Sequence, residues 1–164
     1  MVMQRKLNCR LSKNYWKWYK KCLTLTFEEG IISYNKFWRM VMGLDMYSKR
    51  VKSSDVIDEL NFVDDGSEDI FYWRKNRHLH NWMTNLYLDK GGEQEFNLVP
   101  VQLLDSDLVR LAEDIILGNL DDSSGFFFGT GDYDQERMDE DLSFVKMARE
   151  VLAEGDAVYY LAWY

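Results

Sequence analysis

Ala157-Val158-Tyr159-Tyr160-Leu161-Ala162-Trp163-Tyr164 is apolar at every position. A strand with no polar face is covered on both sides, so this stretch predicts a central strand of a sheet. A neighbour is supplied by Gly43-Leu44-Asp45-Met46-Tyr47-Ser48-Lys49-Arg50-Val51, where Leu44 and Met46 alternate with Asp45, Tyr47 and Lys49 as in a half-buried strand. Phe126-Phe127-Phe128, set between Gly125 and Gly129, is too short for a helix and strongly β-prone, and predicts a strand buried on both faces. Phe96-Asn97-Leu98-Val99-Pro100-Val101 predicts a short strand that Pro100 confines to an edge or an end.

Helices fill the intervals. Asp65 and Glu68 have capping-box spacing, and Tyr72, Leu79, Trp82, Met83 and Leu86 recur at three- and four-residue steps, so a helix is expected from Glu68 to about Leu88, closed by Lys90-Gly91-Gly92. Asp105 or Ser106 caps a second helix, with Leu104, Leu108, Leu111, Ile115 and Ile116 on its core stripe and Gly118 at its end. Met138, Leu142, Val145, Ala148 and Leu152 mark a third, ending near Gly155. The order predicts an α+β fold: a small, mostly antiparallel sheet of three or four strands, with about three helices mainly on one face. Residues 52–67, polar and acidic, are assigned to no element.

Composition bounds the rest. With 164 residues, 46% of them hydrophobic and 15% aromatic, the chain holds enough bulk for one core without disulfide or structural metal. No cofactor is called for. The net charge of −8 conceals a division. Residues 1–41 carry nine Lys/Arg against Glu28 and Glu29, a net of +7, whereas residues 42–164 carry eleven against twenty-six Asp/Glu, a net of −15. Cys9 and Cys22 both lie in the first segment, so the acidic domain has no thiol nucleophile.

Residues 1–41 form a basic, aromatic extension ahead of a single acidic domain at 42–164. Asn14-Tyr15-Trp16-Lys17-Trp18-Tyr19-Lys20-Lys21 interleaves rings with cations in the manner of a single-stranded nucleic-acid or anionic-membrane contact. Alternatively Leu23, Phe27, Ile31 and Phe37 pack a helix on the domain. A third reading makes the segment a mis-assigned start: Trp38-Arg39-Met40-Val41-Met42 is encoded by TGG, an arginine codon and ATG, and AGG at Arg39 would set a ribosome-binding sequence just before Met42. Nucleic acid is a partner only if residues 1–41 are genuine. No apolar run approaches the ~20 residues of a spanning helix and no secretory signal is visible, which leads to an expectation of a cytoplasmic protein that does not engage the membrane.

Candidate chemistry is sparse. His78 and His80 are the only imidazoles, and their i, i+2 spacing directs them to different helix faces; a surface histidine is expected at His80, which could otherwise act as a base. Asp132, Asp134 and Glu136 are weak metal candidates after Gly129-Thr130-Gly131, but the calcium-loop template fails at Arg137 and Ser143, and helix N-terminus chemistry accounts for the acids. Arg74 and Lys75, with Arg77, offer an anion site or pair with Glu68, Asp69 and Asp45. No phosphate loop, dinucleotide fingerprint or nucleophile elbow occurs. An enzyme or anion-binding protein would have to gather Asp45, Tyr47, Arg74, His80, Tyr133 and Asp134 around one concavity at an end of the sheet.

Three motifs carry a resemblance. Met42-Gly43-Leu44-Asp45-Met46-Tyr47, Tyr72-Trp73-Arg74-Lys75 followed by His80-Asn81-Trp82, and Gly125 to Gly129 followed by Tyr133-Asp134 resemble a family of small uncharacterised proteins of bacteriophages, prophages and bacteria. The likeness spans 42–164; the family's helix asparagine falls at Arg77, with Asn76 one position earlier. It implies a phage-type origin rather than a chemistry. Residues 93–164 hold seventeen acids against four cations, so a phage-type accessory protein binding a basic host or phage protein through an acidic surface is the leading expectation.

Overall fold

The computed structural model describes residues 43–121 and 132–164, which belong to the unit Trp38–Tyr164. The extension 1–41 and the Phe126–Phe128 strand lie outside the described residues. Among the described residues the fold is α+β, with a four-stranded antiparallel sheet, a two-stranded sheet and three helices.

The large sheet contains β1 (Asp45–Val51), β4 (Glu68–Arg74), β5 (Val101–Leu103) and β6 (Ala157–Trp163), in the order β4-β1-β6-β5. β6 is interior, as its two apolar faces require. Val158, Tyr160 and Ala162 enter the main core, while Ala157 and Tyr159 enter a second cluster on the other side. The main core takes Leu79, Met83 and Leu86 from α1 (Arg77–Asp89), Leu108, Leu111 and Ile115 from α2 (Asp105–Leu117), and Phe144, Val145 and Ala148 from α3 (Gln135–Ala153). All three helices therefore cover one face of the sheet.

Part of the opposite face is covered by β2 (Val56–Asp58) and β3 (Asn61–Phe62), a small hairpin in the stretch the sequence left unassigned. Val56 and Phe62 pack on Val51, Ala157 and Tyr159, and the Tyr159 hydroxyl donates to the Asp58 carbonyl at 2.7 Å. Too short to show a hydrophobic period, the hairpin is held by the tyrosine beneath it.

Several expectations need correction. The helix expected from Glu68 is a strand up to Arg74, then a helix from Arg77. Ile70-Phe71-Tyr72-Trp73 is a run of β-branched and aromatic residues that pairs with β1, Tyr47 opposite Tyr72 and Met46 opposite Trp73. Asn76, not Asp65, caps α1 by accepting from the Leu79 amide. The strand expected at 96–101 is confined to Val101–Leu103: Leu98 has φ +59, and the Asn97 side chain instead clips the Tyr164 backbone, donating to its carbonyl at 2.9 Å. On α2, Leu104 and Ile116 lie in solvent rather than on the core stripe, and Leu104 itself is the cap position, its amide donating to Asp107 at 3.0 Å. On α3 the fully buried stripe is Asp141, Phe144 and Ala148, with Leu142 and Leu152 at its margin. Gly118 and Gly155 end α2 and α3 with φ of +70 and +92, as glycine allows.

Candidate functional site

Asp141 stands at the centre of the best-formed polar cluster. Its carboxylate is fully buried and accepts from Trp73 Nε1 at 2.9 Å, from Asn76 Nδ2 at 2.9 and 3.0 Å to its two oxygens, and from the Tyr133 hydroxyl at 2.6 Å. β4, the β4–α1 corner, the approach to α3 and α3 itself thus meet on one side chain. Burial pushes the Asp141 carboxyl up to about 6, and the three donors oppose the rise by stabilising the anion. Burial and the neighbouring Asp141 charge hold the Tyr133 phenol far above the ordinary tyrosine value, so it stays a donor. With its lone pairs occupied and no exposure to solvent, Asp141 joins elements together and presents nothing to a ligand.

His80 is buried, not at the surface. Its Nδ1 lies 2.9 Å from the Tyr160 hydroxyl, and its ring stacks on Phe96 at 5.6 Å and meets Tyr164 edge-on at 5.5 Å. Burial lowers its pKa to about 4, so the ring is neutral at pH 7. His78 turns elsewhere: its Nδ1 is 3.2 Å from the Leu120 carbonyl and its ring 5.2 Å from Tyr133.

Asp45, Tyr47, Tyr72 and Arg74 occupy the opposite face of the sheet. Register places Asp45 across from Arg74 and Tyr47 across from Tyr72. Tyr72 donates to Asp45 at 2.6 Å and its phenol is pushed up to about 12, by burial first and then by that bond; Arg74 Nε stands 4.0 Å from the same carboxylate. The sheet therefore separates Asp45, Tyr47 and Arg74 from His80 and Tyr133, which lie on the helix side. Asp134 caps α3, accepting from the Arg137 amide at 3.0 Å, and Glu136 lies in that helix's first turn. The six groups do not surround one concavity.

Arg74 and Lys75 do converge, over Gly43. A side-chain carbon at Gly43 would lie 2.9 Å from Lys75 Cε and 3.7 Å from Arg74 Nη2. Arg137 joins them by donating to the Arg74 carbonyl at 3.5 Å and pairing with Glu140 at 3.3 Å. Among the described residues no group of three or more His, Cys, Asp or Glu is placed to hold a metal ion, and no helix is long and apolar enough to cross a membrane.

Sequence reasoning missed Asp141, Trp73 and Asn76. The signal for Asp141 was present: it lies three, four and seven residues before Phe144, Val145 and Ala148, an acid in phase with an apolar stripe.

At the surface, the cations are largely committed to intramolecular pairs. Lys49 meets Asp64 and Asp69, Arg50 meets Glu154 and Asp156, Lys90 meets Glu59 and Asp107, Arg110 meets Asp89 and Asp107, and Arg149 meets Asp105. Glu68, Glu93, Glu113, Glu136 and Glu150 are exposed and, among the described residues, have no cation at ion-pair distance. Compared with protein-family models, curated proteins and solved structures, the chain shows no significant match.

Proposed function

We propose that the acidic domain is a non-catalytic binding module, an accessory protein of phage or prophage type that docks on a basic host or phage protein in the cytoplasm. The observation that carries this reading is the uncompensated carboxylate surface: twenty-six acids against eleven cations over 42–164, with most of the cations already engaged. Such a field accelerates encounter with a cationic partner and repels nucleic acid. The division of the candidate polar groups between two faces of the sheet supports the same reading over an enzyme or an anion-binding pocket. The test is affinity capture from host lysate with the purified chain at low and at raised salt. A basic protein retained at low salt and released as salt rises is the expected result; no enrichment at low salt overturns the proposal.

A further inference from the structure

The second helix carries more apolar residues than the core takes in. Leu108, Leu111 and Ile115 are fully buried, yet Val109, Ile116 and Leu117 on its other side are 38%, 65% and 70% exposed. Val109, Glu113 and Ile116 follow one another at i, i+4 and i+7, and Leu117 is four residues beyond Glu113, so the four form one continuous ridge. Glu113, at its centre, is exposed and pairs with no cation among the described residues. The nearest basic residue of the helix, Arg110, is turned aside: its guanidinium sits 5.1 Å over the Trp82 ring and reaches Asp89 and Asp107.

We infer that this ridge, Val109–Glu113–Ile116–Leu117, is a docking surface for a cationic amphipathic helix of a partner protein. The inference rests on the protein-binding reading above and gives that reading a location. An apolar strip around an acid matches a partner that offers aliphatic side chains and a lysine or arginine between them. A second copy of this chain is a poorer fit. Two-fold packing of the ridge on itself would bring Glu113 against its counterpart and one net −15 domain against another.

The test uses the full chain and a fluorescent synthetic amphipathic helix of leucine and lysine, with a shuffled peptide of the same composition as control. The amphipathic peptide should bind at low salt, and Ile116→Ser with Leu117→Ser should weaken it by about tenfold, since two aliphatic side chains lose their burial. Both residues are already in water, so thermal unfolding of the double variant should match the parent, which keeps the comparison interpretable. Undiminished binding by the double variant, or equal binding of the shuffled peptide, overturns the ridge and leaves the acidic-surface reading standing. Failure of both peptides to bind at low salt overturns both. Concentration-dependent dimerisation that the double variant abolishes would assign the ridge to a second copy and overturn the cationic partner.

Discussion

The Asn76 amide nitrogen lies 2.9 and 3.0 Å from the two carboxylate oxygens of Asp141, sixty-five residues away, while its carbonyl oxygen accepts from the Leu79 amide at 3.2 Å. One side chain therefore starts α1 and anchors α3. It also explains why the chain turns from strand to helix within two residues: Lys75 takes φ +58, its amide donates to the Leu44 carbonyl at 2.8 Å, and Asn76 follows as the cap.

Removing the Asp141 carboxylate should be costly, and replacing it by its amide much less so. Asp141→Ala leaves the Trp73, Asn76 and Tyr133 donors buried without an acceptor, and should cost about 4 kcal/mol in urea unfolding. Asp141→Asn keeps an acceptor for Trp73 and Asn76 and lets the Tyr133 hydroxyl turn to accept, so a loss of about 1 kcal/mol is expected. Equal losses in the two variants would deny the cluster its role.

The buried acid and the buried histidine should oppose each other in the pH dependence of stability. Asp141 has its folded pKa raised to about 6, so its contribution is greatest at low pH and is lost as pH rises through 6. His80 is depressed to about 4: the unfolded chain takes up its proton near pH 6.5 and the folded chain does not, so stability falls as pH drops from about 6.5 to 4. Asp141→Asn should expose a steeper acid loss between pH 6 and 4, and His80→Gln the reverse slope. Chemical denaturation across that range measures both; unchanged slopes would show that neither group titrates as its surroundings dictate.

Gly92 has no room for a side chain. An added Cβ would lie 2.2–2.3 Å from the Tyr87 ring, which is buried, stacked on Phe96 at 4.6 Å and bonded through its hydroxyl to the Gln94 amide. Gly92→Ala should cost about 3 kcal/mol through overpacking. Gly91→Ala meets no atom within 4 Å and carries only the strain of φ +84, about 1 kcal/mol. Thermal shifts that rank the two in the opposite order would contradict this packing.

Tyr159→Phe should loosen the β2–β3 hairpin without unfolding the domain. The ring would remain against Phe62, at 4.7 Å between centroids, but the Asp58 and Asn61 carbonyls would lose their donor. A global loss of about 1 kcal/mol is expected, with amide exchange accelerated at 56–62 more than in β1 or β6.

How much was legible varied with the kind of signal. β6 was readable because eight successive apolar residues exclude a solvent face, and the ends of α2 and α3 because Gly118 and Gly155 adopt backbone angles that few other residues tolerate. The 68–88 stretch was misread because aromatic residues at helical spacing continued across a strand. Tyr72 fits the stripe of α1 by number but stands on β4 beside Tyr47. His80 was misplaced at the surface because a polar residue in a partly polar helix gives no local sign that Phe96, Tyr160 and Tyr164 will enclose it.

The sequence by itself determined the α+β class, the interior strand, two of the helices and the anionic character of the domain, because composition and the periods of 2 and 3.6 are local properties of the chain. Only the tertiary structure decided that Glu68–Arg74 is a strand, that Asp141 is the hub of a buried cluster, that the candidate polar groups fall on two sides of the sheet, and that Ile116 faces water. Each of these depends on which other segments arrive as neighbours, such as β1 beside Glu68–Arg74 or Trp73 and Asn76 around Asp141, and contacts between separate elements leave no trace in local spacing.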